Sequence, residues 1–235
     1  SLIDNISQGG AGIYCQYHCT MTFDGALFEG GDAGSGSGGA LSMYSFSETR
    51  IRNSVFRNNF AGEGGCISMF NNGFLRLEDS IFENNRASIS GAAISVLRQN
   101  IIRISATSFT NHTCAGNGGT VFVGDAYNWI KVNYTSFVGS SATGNGGLVS
   151  VNSQQNTFAM QFVNISDCIA GGSGGVFWFI AGAAPNAASA AQAGNGWNTE
   201  FGEEFALDKI EFVFSDLSIS NSSCGVNGGV IYLGI

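Results

Sequence analysis

The sequence predicts an all-β parallel β-helix, a solenoid of about eight coils of about 27 residues each. Three observations predict it. A small pair recurs with its first glycine at Gly10, Gly38, Gly64, Gly91, Gly118, Gly146, Gly174 and Gly228, at spacings of 28, 26, 27, 27, 28, 28 and 54. An apolar marker nine or so residues upstream keeps the same beat at Phe28, Phe56, Phe82, Phe109, Phe137, Ile165 and Ile219. Each repeat also alternates apolar and other residues with period two, the pattern of a strand with one face buried. A repeat this short cannot close a core alone, but stacked on its neighbours it can.

The elements follow in chain order. After the glycines the inward positions are Leu41/Met43, Ile67/Met69, Ile94/Val96, Val121/Val123, Val149/Val151 and Phe177/Phe179, with Ser42, Ser68, Ser95 and Ser150 between. A second alternation gives Thr49/Ile51, Leu75/Leu77, Ile102/Ile104, Ile130/Val132, Phe158/Met160 and Phe212/Phe214. The marker comes next. Five residues later stands a small column: Ala33, Ala61, Ala87, Cys114, Ala142, Ala170 and Cys224. Stacking sets like positions ~4.8 Å apart. Seven coils are complete between the first and last glycine markers. The longest interval holds one period plus an insertion of 26 residues, whose Ala/Gly-rich part spans 181–204. A short helix around 186–193 is expected there, with Trp197 as a possible anchor. The rest of 1–235 reads as one β-helix segment.

Composition narrows the function classes. With 44% hydrophobic residues in 235, the chain is not disordered. The 35 glycines come with a single proline and no period of three, so it is not collagen. A net charge of −8 argues against nucleic acid as partner. No apolar run approaches the ~20 residues of a membrane span. The chain begins and ends inside the repeating pattern, so it reads as a piece of a longer protein.

The pairing of "GGA[ILV]" with "FxxN" resembles the repeats of chlamydial polymorphic outer-membrane proteins and similar protist surface proteins of pectin-lyase-like fold. Gly38-Gly39-Ala40-Leu41 fits the first motif; Gly64-Gly65-Cys66-Ile67 and Gly91-Ala92-Ala93-Ile94 nearly fit. Phe56-Arg57-Asn58-Asn59 and Phe82-Glu83-Asn84-Asn85 fit the second, while Phe109 has His112 at the Asn position. The resemblance implies a right-handed coil and a secreted or surface-anchored protein, often adhesive. Motifs this short specify a fold better than an activity.

Catalysis on such a scaffold needs acids that converge, to hold Ca²⁺ or to act as acid and base. Asp79 and Asp216 share a column but are expected five coils apart, and Glu78 and Asp79 point to opposite faces. No catalytic residue, metal ligand or cofactor is assigned. The alternative is a polysaccharide lyase or glycoside hydrolase whose catalytic coil is not recognisable here. Among the six cysteines, Cys114 and Cys224 fall inward and too far apart to bridge, whereas Cys15 and Cys19 are a candidate disulfide.

Asn58, Asn84, Asn111 and Asn221 sit two residues after the marker, where an asparagine can bond its own turn and tolerate a left-handed backbone, or stack as a ladder; the ladder reading turns them inward. Sequons begin at Asn5, Asn111, Asn133, Asn164 and Asn221. Asn133, on an outward strand position, ranks first for glycosylation; Asn111 and Asn221 rank last.

The charge pattern supplies the candidate contact face. Arg50, Arg76, Arg103 and Lys131 fall in one outward column, and Phe74, Ile101 and Trp129 stand beside them two residues earlier. The plain reading is a solvated face with long stems lying on the sheet. The sharper one is a surface gripping other protein chains or an anionic surface glycan. The expected role is therefore non-enzymatic: a structural or adhesive rod segment, extracellular or on the cell surface.

Overall fold

In the computed structural model, residues 2–7, 10, 12–153, 155–180 and 211–234 are described; the 181–204 insertion, with its expected helix and Trp197, lies outside them. The described chain is an all-β parallel solenoid with no helix. One face, the glycine face, stacks eight strands: Ile13–Tyr17, Leu41–Ser45, Ile67–Asn71, Ile94–Arg98, Val121–Val123, Val149–Val151, Phe177–Ile180 and Ile231–Gly234. A short face stacks six, from Phe60–Glu63 to Ser223–Cys224. The other 13 strands form one continuous sheet, because Thr157–Ser166 runs through both its charged half and its marker half. The charged half includes Glu48–Arg52, Phe74–Glu78, Ile101–Ser105 and Trp129–Asn133. About six turns carry a strand on every face, slightly fewer than the eight the glycines suggest. At the N-terminal end the short face dwindles to the isolated bridges Ile6↔Asp32 and Asp32↔Phe60.

The inward columns stand where the alternation places them. Leu41, Met43, Ile67, Met69, Leu75, Leu77, Ile102, Ile104, Ile130 and Val132 form one buried core. The marker phenylalanines stack along the axis as a spine. Their ring centroids are 4.5 Å apart from Phe28 to Phe56, 4.6 Å from Phe56 to Phe82, 4.8 Å from Phe82 to Phe109 and 4.9 Å from Phe109 to Phe137. These distances are the strand spacing itself, so one residue type repeated at the coil period builds a continuous aromatic column.

Left-handed corners turn the chain from face to face. In one coil they are Gly64 (φ 58°), Asn72 (51°), Asp79 (47°) and Asn84 (53°); the next uses Gly91, Gln99, Ala106 and Asn111. The first glycine of each pair has a second constraint. A Cβ on Gly146 would lie 2.2 Å from the Val149 carbonyl oxygen, because the corner doubles back over its own strand. That fold-back also buries Ser42, Ser68, Ser95 and Ser150, although alternation points them outward.

After three of the corners a polar side chain turns inward and caps the preceding coil. The Gly31 N–H donates to Asn59 Oδ1 at 3.0 Å, the Asn59 N–H to Asn85 Oδ1 at 3.0 Å, and the Asn85 N–H to His112 Nδ1 at 3.2 Å. A parallel ladder runs from Gly73 through Asn100 and Asn128 to Asn156, with N–H to Oδ1 distances of 2.8, 3.0 and 2.9 Å. Ser54 and Ser80 do the same at a third corner. Each cap satisfies a backbone donor that the bend removes from the sheet.

This geometry corrects the ladder reading of these asparagines and bears out the left-handed one. Asn58, Asn84, Asn111 and Asn221 are exposed left-handed corner residues, at φ 57°, 53°, 56° and 50°. The ladder belongs to the next position, Asn59, Asn85 and His112, all buried. A corner must put its left-handed residue outside, since only the residue after it regains the inward direction.

Candidate functional site

The charged half places the predicted contact residues in register. Arg50, Arg76, Arg103 and Lys131 are successive partners, and so are Phe74, Ile101 and Trp129. The two columns stand side by side on the outer face. The surface they form differs from a bare apolar stripe beside bare cations. Phe74 is only 3% exposed, and Ile101 and Trp129 are half-buried. Arg50 pairs with Glu48 at 2.8 Å and Arg76 with Glu78 at 2.6 Å, each two residues away on its own strand. The Arg103 guanidinium lies over the Trp129 ring, 5.3 Å from its centroid, a cation–π contact. The face therefore mixes both charge signs around one amphipathic pair. A shallow depression of about 150 Å³ runs along it between Arg76, Glu78, Arg103, Ser105, Lys131 and Asn133.

Other pairings lie elsewhere. Arg57 bridges to Glu29 at 2.9 Å, and that hydrogen bond, with the charge of the same carboxylate, raises the arginine's pKa further. Cys15 and Cys19 form a disulfide with Cα atoms 6.2 Å apart. Cys114 and Cys224 are free thiols three coil steps apart in the small column. Burial pushes the Cys114 and Cys168 thiols up to about 11 and raises Cys66 as well. Asp79 and Asp216 stand four coil steps apart, not five, with Ala106, Tyr134 and Phe162 between them. Among the described residues no three His, Cys, Asp or Glu side chains gather closely enough to hold a metal ion.

The sequons spread over distinct environments. Asn111, Asn164 and Asn221 are exposed, and Asn5 and Asn133 half-buried. Asn133 Oδ1 is buried without a hydrogen-bond partner. The exposures of Asn111 and Asn133 run opposite to the expected ranking: the corner exposes the first, and the second is half-buried on its strand.

A feature that sequence reading missed lies one corner along from Asn133. Tyr134 and Phe162 are 65% and 41% exposed and stack at 4.8 Å with planes 12° apart. They border an open groove of about 780 Å³ between the charged and marker halves. Comparing residue types down the corner column could have found it, because Gly25, Asn53, Asp79 and Asp216 suit a left-handed backbone and Tyr134 and Phe162 do not.

No family model, curated protein or solved structure matches this chain.

Proposed function

We propose that the chain is a right-handed β-helical rod segment of an extracellular or cell-surface protein, non-enzymatic, whose charged half is an assembly contact with another protein chain. The observation that carries this is the in-register pair of columns, Arg50–Arg76–Arg103–Lys131 beside Phe74–Ile101–Trp129, on a flat outer sheet. Glu48 and Glu78 within the same face favour a protein partner of mixed charge over an anionic glycan. Trp129, held under Arg103, is a preformed aromatic anchor. The right hand is the one that nearly all strand-to-parallel-strand connections adopt. The "GGA[ILV]" and "FxxN" resemblance, the five sequons and the Cys15–Cys19 bridge all suit an oxidising, extracellular setting.

The test is the double variant Arg103→Ala with Trp129→Ala. Both residues project outward, so the circular dichroism spectrum should be unchanged. Self-association by sedimentation equilibrium and attachment to the host surface should weaken by about 1 kcal/mol or more. A double variant that assembles and attaches like the parent would sink the proposal.

A further inference from the structure

We propose that the groove beside Tyr134 is a binding site for a neutral pyranose sugar, whose ring takes the place of a missing aromatic in the Tyr134–Phe162 stack. The proposal does not depend on the charged half being an assembly contact.

The argument starts from one corner column. Its residues are Gly25, Asn53, Asp79, Ala106, Tyr134, Phe162 and Asp216, all with φ between 47° and 62°. Glycine, asparagine and aspartate adopt this backbone readily. A bulky aromatic there costs on the order of 1–3 kcal/mol. Two successive coils nonetheless carry Tyr134 and Phe162, and both rings are left in solvent. Both rings stay outside the core, so what they add is surface; His18 and Phe46 stack likewise at another left-handed corner, at φ 52° and 53°, whereas Tyr134 and Phe162 border a groove.

The column then leaves a slot. Phe162 stacks against one face of Tyr134 at 4.8 Å. On the other side the next coil has Ala106, a single methyl, and the coil beyond has Asp79. A ring seated in the Ala106 layer would lie about 4.8 Å from Tyr134, one strand spacing away. It would continue the stack, with the Asp79 carboxylate at its far side.

The polar groups around the slot identify the ring. Ser108 and Ser136 line one wall, from outward positions of the marker half, and Asn164 stands at the end beside Phe162. The side chains of Asp79, Ser108, Ser136 and Asn164 make no hydrogen bond or ion pair among the described residues. A pyranose offers C–H bonds on its flat face, which suit an aromatic ring, and hydroxyls on its rim, which suit a carboxylate and two serines. Among the described residues lining the groove, Asp79 carries the only formal charge, a negative one, which disfavours an acidic sugar. A few placed polar groups around an aromatic surface are the usual make-up of a small-molecule site.

The sugar could come from a separate glycan or from an N-glycan on this chain, since the Asn164 sequon opens on the same groove. Protein made without glycosylation is titrated with maltohexaose, cellohexaose and mannohexaose, and with oligogalacturonate as an acidic control, using ligand-observed saturation-transfer NMR. At least one neutral hexaose should bind at concentrations below about 10 mM, and oligogalacturonate should not. Tyr134→Ala should weaken binding by about tenfold or more. Ala106→Tyr, which fills the slot while keeping the stack, should abolish it; the strain lowers its melting temperature, and an unchanged circular dichroism spectrum at the assay temperature separates blockage from misfolding. If the sugar is the chain's own, protein from a glycosylating secretory host should lose binding of free hexaose, and Ser166→Ala made in that host, which removes the sequon without touching the groove lining, should regain it. No binding of any neutral hexaose overturns the proposal, as does binding that Ala106→Tyr leaves intact.

Discussion

Replacing His112 by asparagine should remove a block of acid sensitivity from the fold. His112 stands third in a buried ladder whose earlier members are Asn59 and Asn85. It does what they do, accepting the N–H of the preceding coil, but it can also take a proton. Burial lowers its pKa from 6.5 to about 4, against a smaller opposing pull from the Asn85 and Phe82 backbone. The sign follows from which state binds more protons. Between pH 6.5 and about 4 the unfolded chain protonates this ring and the folded chain does not. Stability is therefore intact above that window and falls as pH drops through it. At ~1.36 kcal/mol per pH unit, the full loss is about 3 kcal/mol. Asparagine keeps the acceptor and has nothing to titrate. The variant should lose about 1 kcal/mol at neutral pH from the smaller side chain beneath Phe109. Its drop in stability between pH 7.5 and 4.5, measured by urea unfolding, should be smaller than the parent's by about 2.5 kcal/mol. All other titratable groups are common to both proteins and cancel. Equal drops in the two proteins would mean that His112 does not hold its neutral form against protonation, and the ladder argument would fail.

Three further outcomes follow from the same geometry. Gly146→Ala meets both a left-handed backbone (φ 68°) and a carbonyl oxygen 2.2 Å from the new Cβ, so it should cost about 3 kcal/mol or more, read as a lowered urea midpoint. A thiol-specific disulfide reagent at pH 8 should label Cys224 in the native chain and reach buried Cys66, Cys114 and Cys168 only on unfolding; fast native labelling of Cys114 would contradict the small column. In a glycosylating host, glycopeptide mapping should find Asn111 and Asn164 more fully occupied than Asn133, and the opposite order would count against the exposures at these corners.

Much of the coil was legible because the solenoid repeats its environment. Two markers with one beat fix the register, and the register assigns every inward column from Thr49/Ile51 to Phe158/Met160 before any coordinates are seen. What the repeat does not encode is the sense of a corner. "RNN" and "ENN" present two adjacent asparagines, and either could have been the inward one. The decisive clue lay in the departure from the motif: His112 replaces the second asparagine, and a histidine standing in for a buried acceptor marks that position as the ladder. The contact face was legible as columns but not as energies. Spacing puts Arg76 outward, yet only geometry shows it held by Glu78 at 2.6 Å, and only geometry shows Phe74 covered. The Tyr134 groove escaped for the opposite reason. Two exposed aromatics in a chain with 19 phenylalanines and six tyrosines draw no notice, until the column around them is seen to carry glycine, asparagine or aspartate at four of its other five positions. In a repeat protein a site is therefore best sought where one coil breaks the rule its neighbours keep at the same position. By that criterion His112 is a substitution the core absorbs, since its ring repeats the asparagine's bond. Tyr134 and Phe162 repeat nothing that their neighbours do, and their rings are spent on solvent.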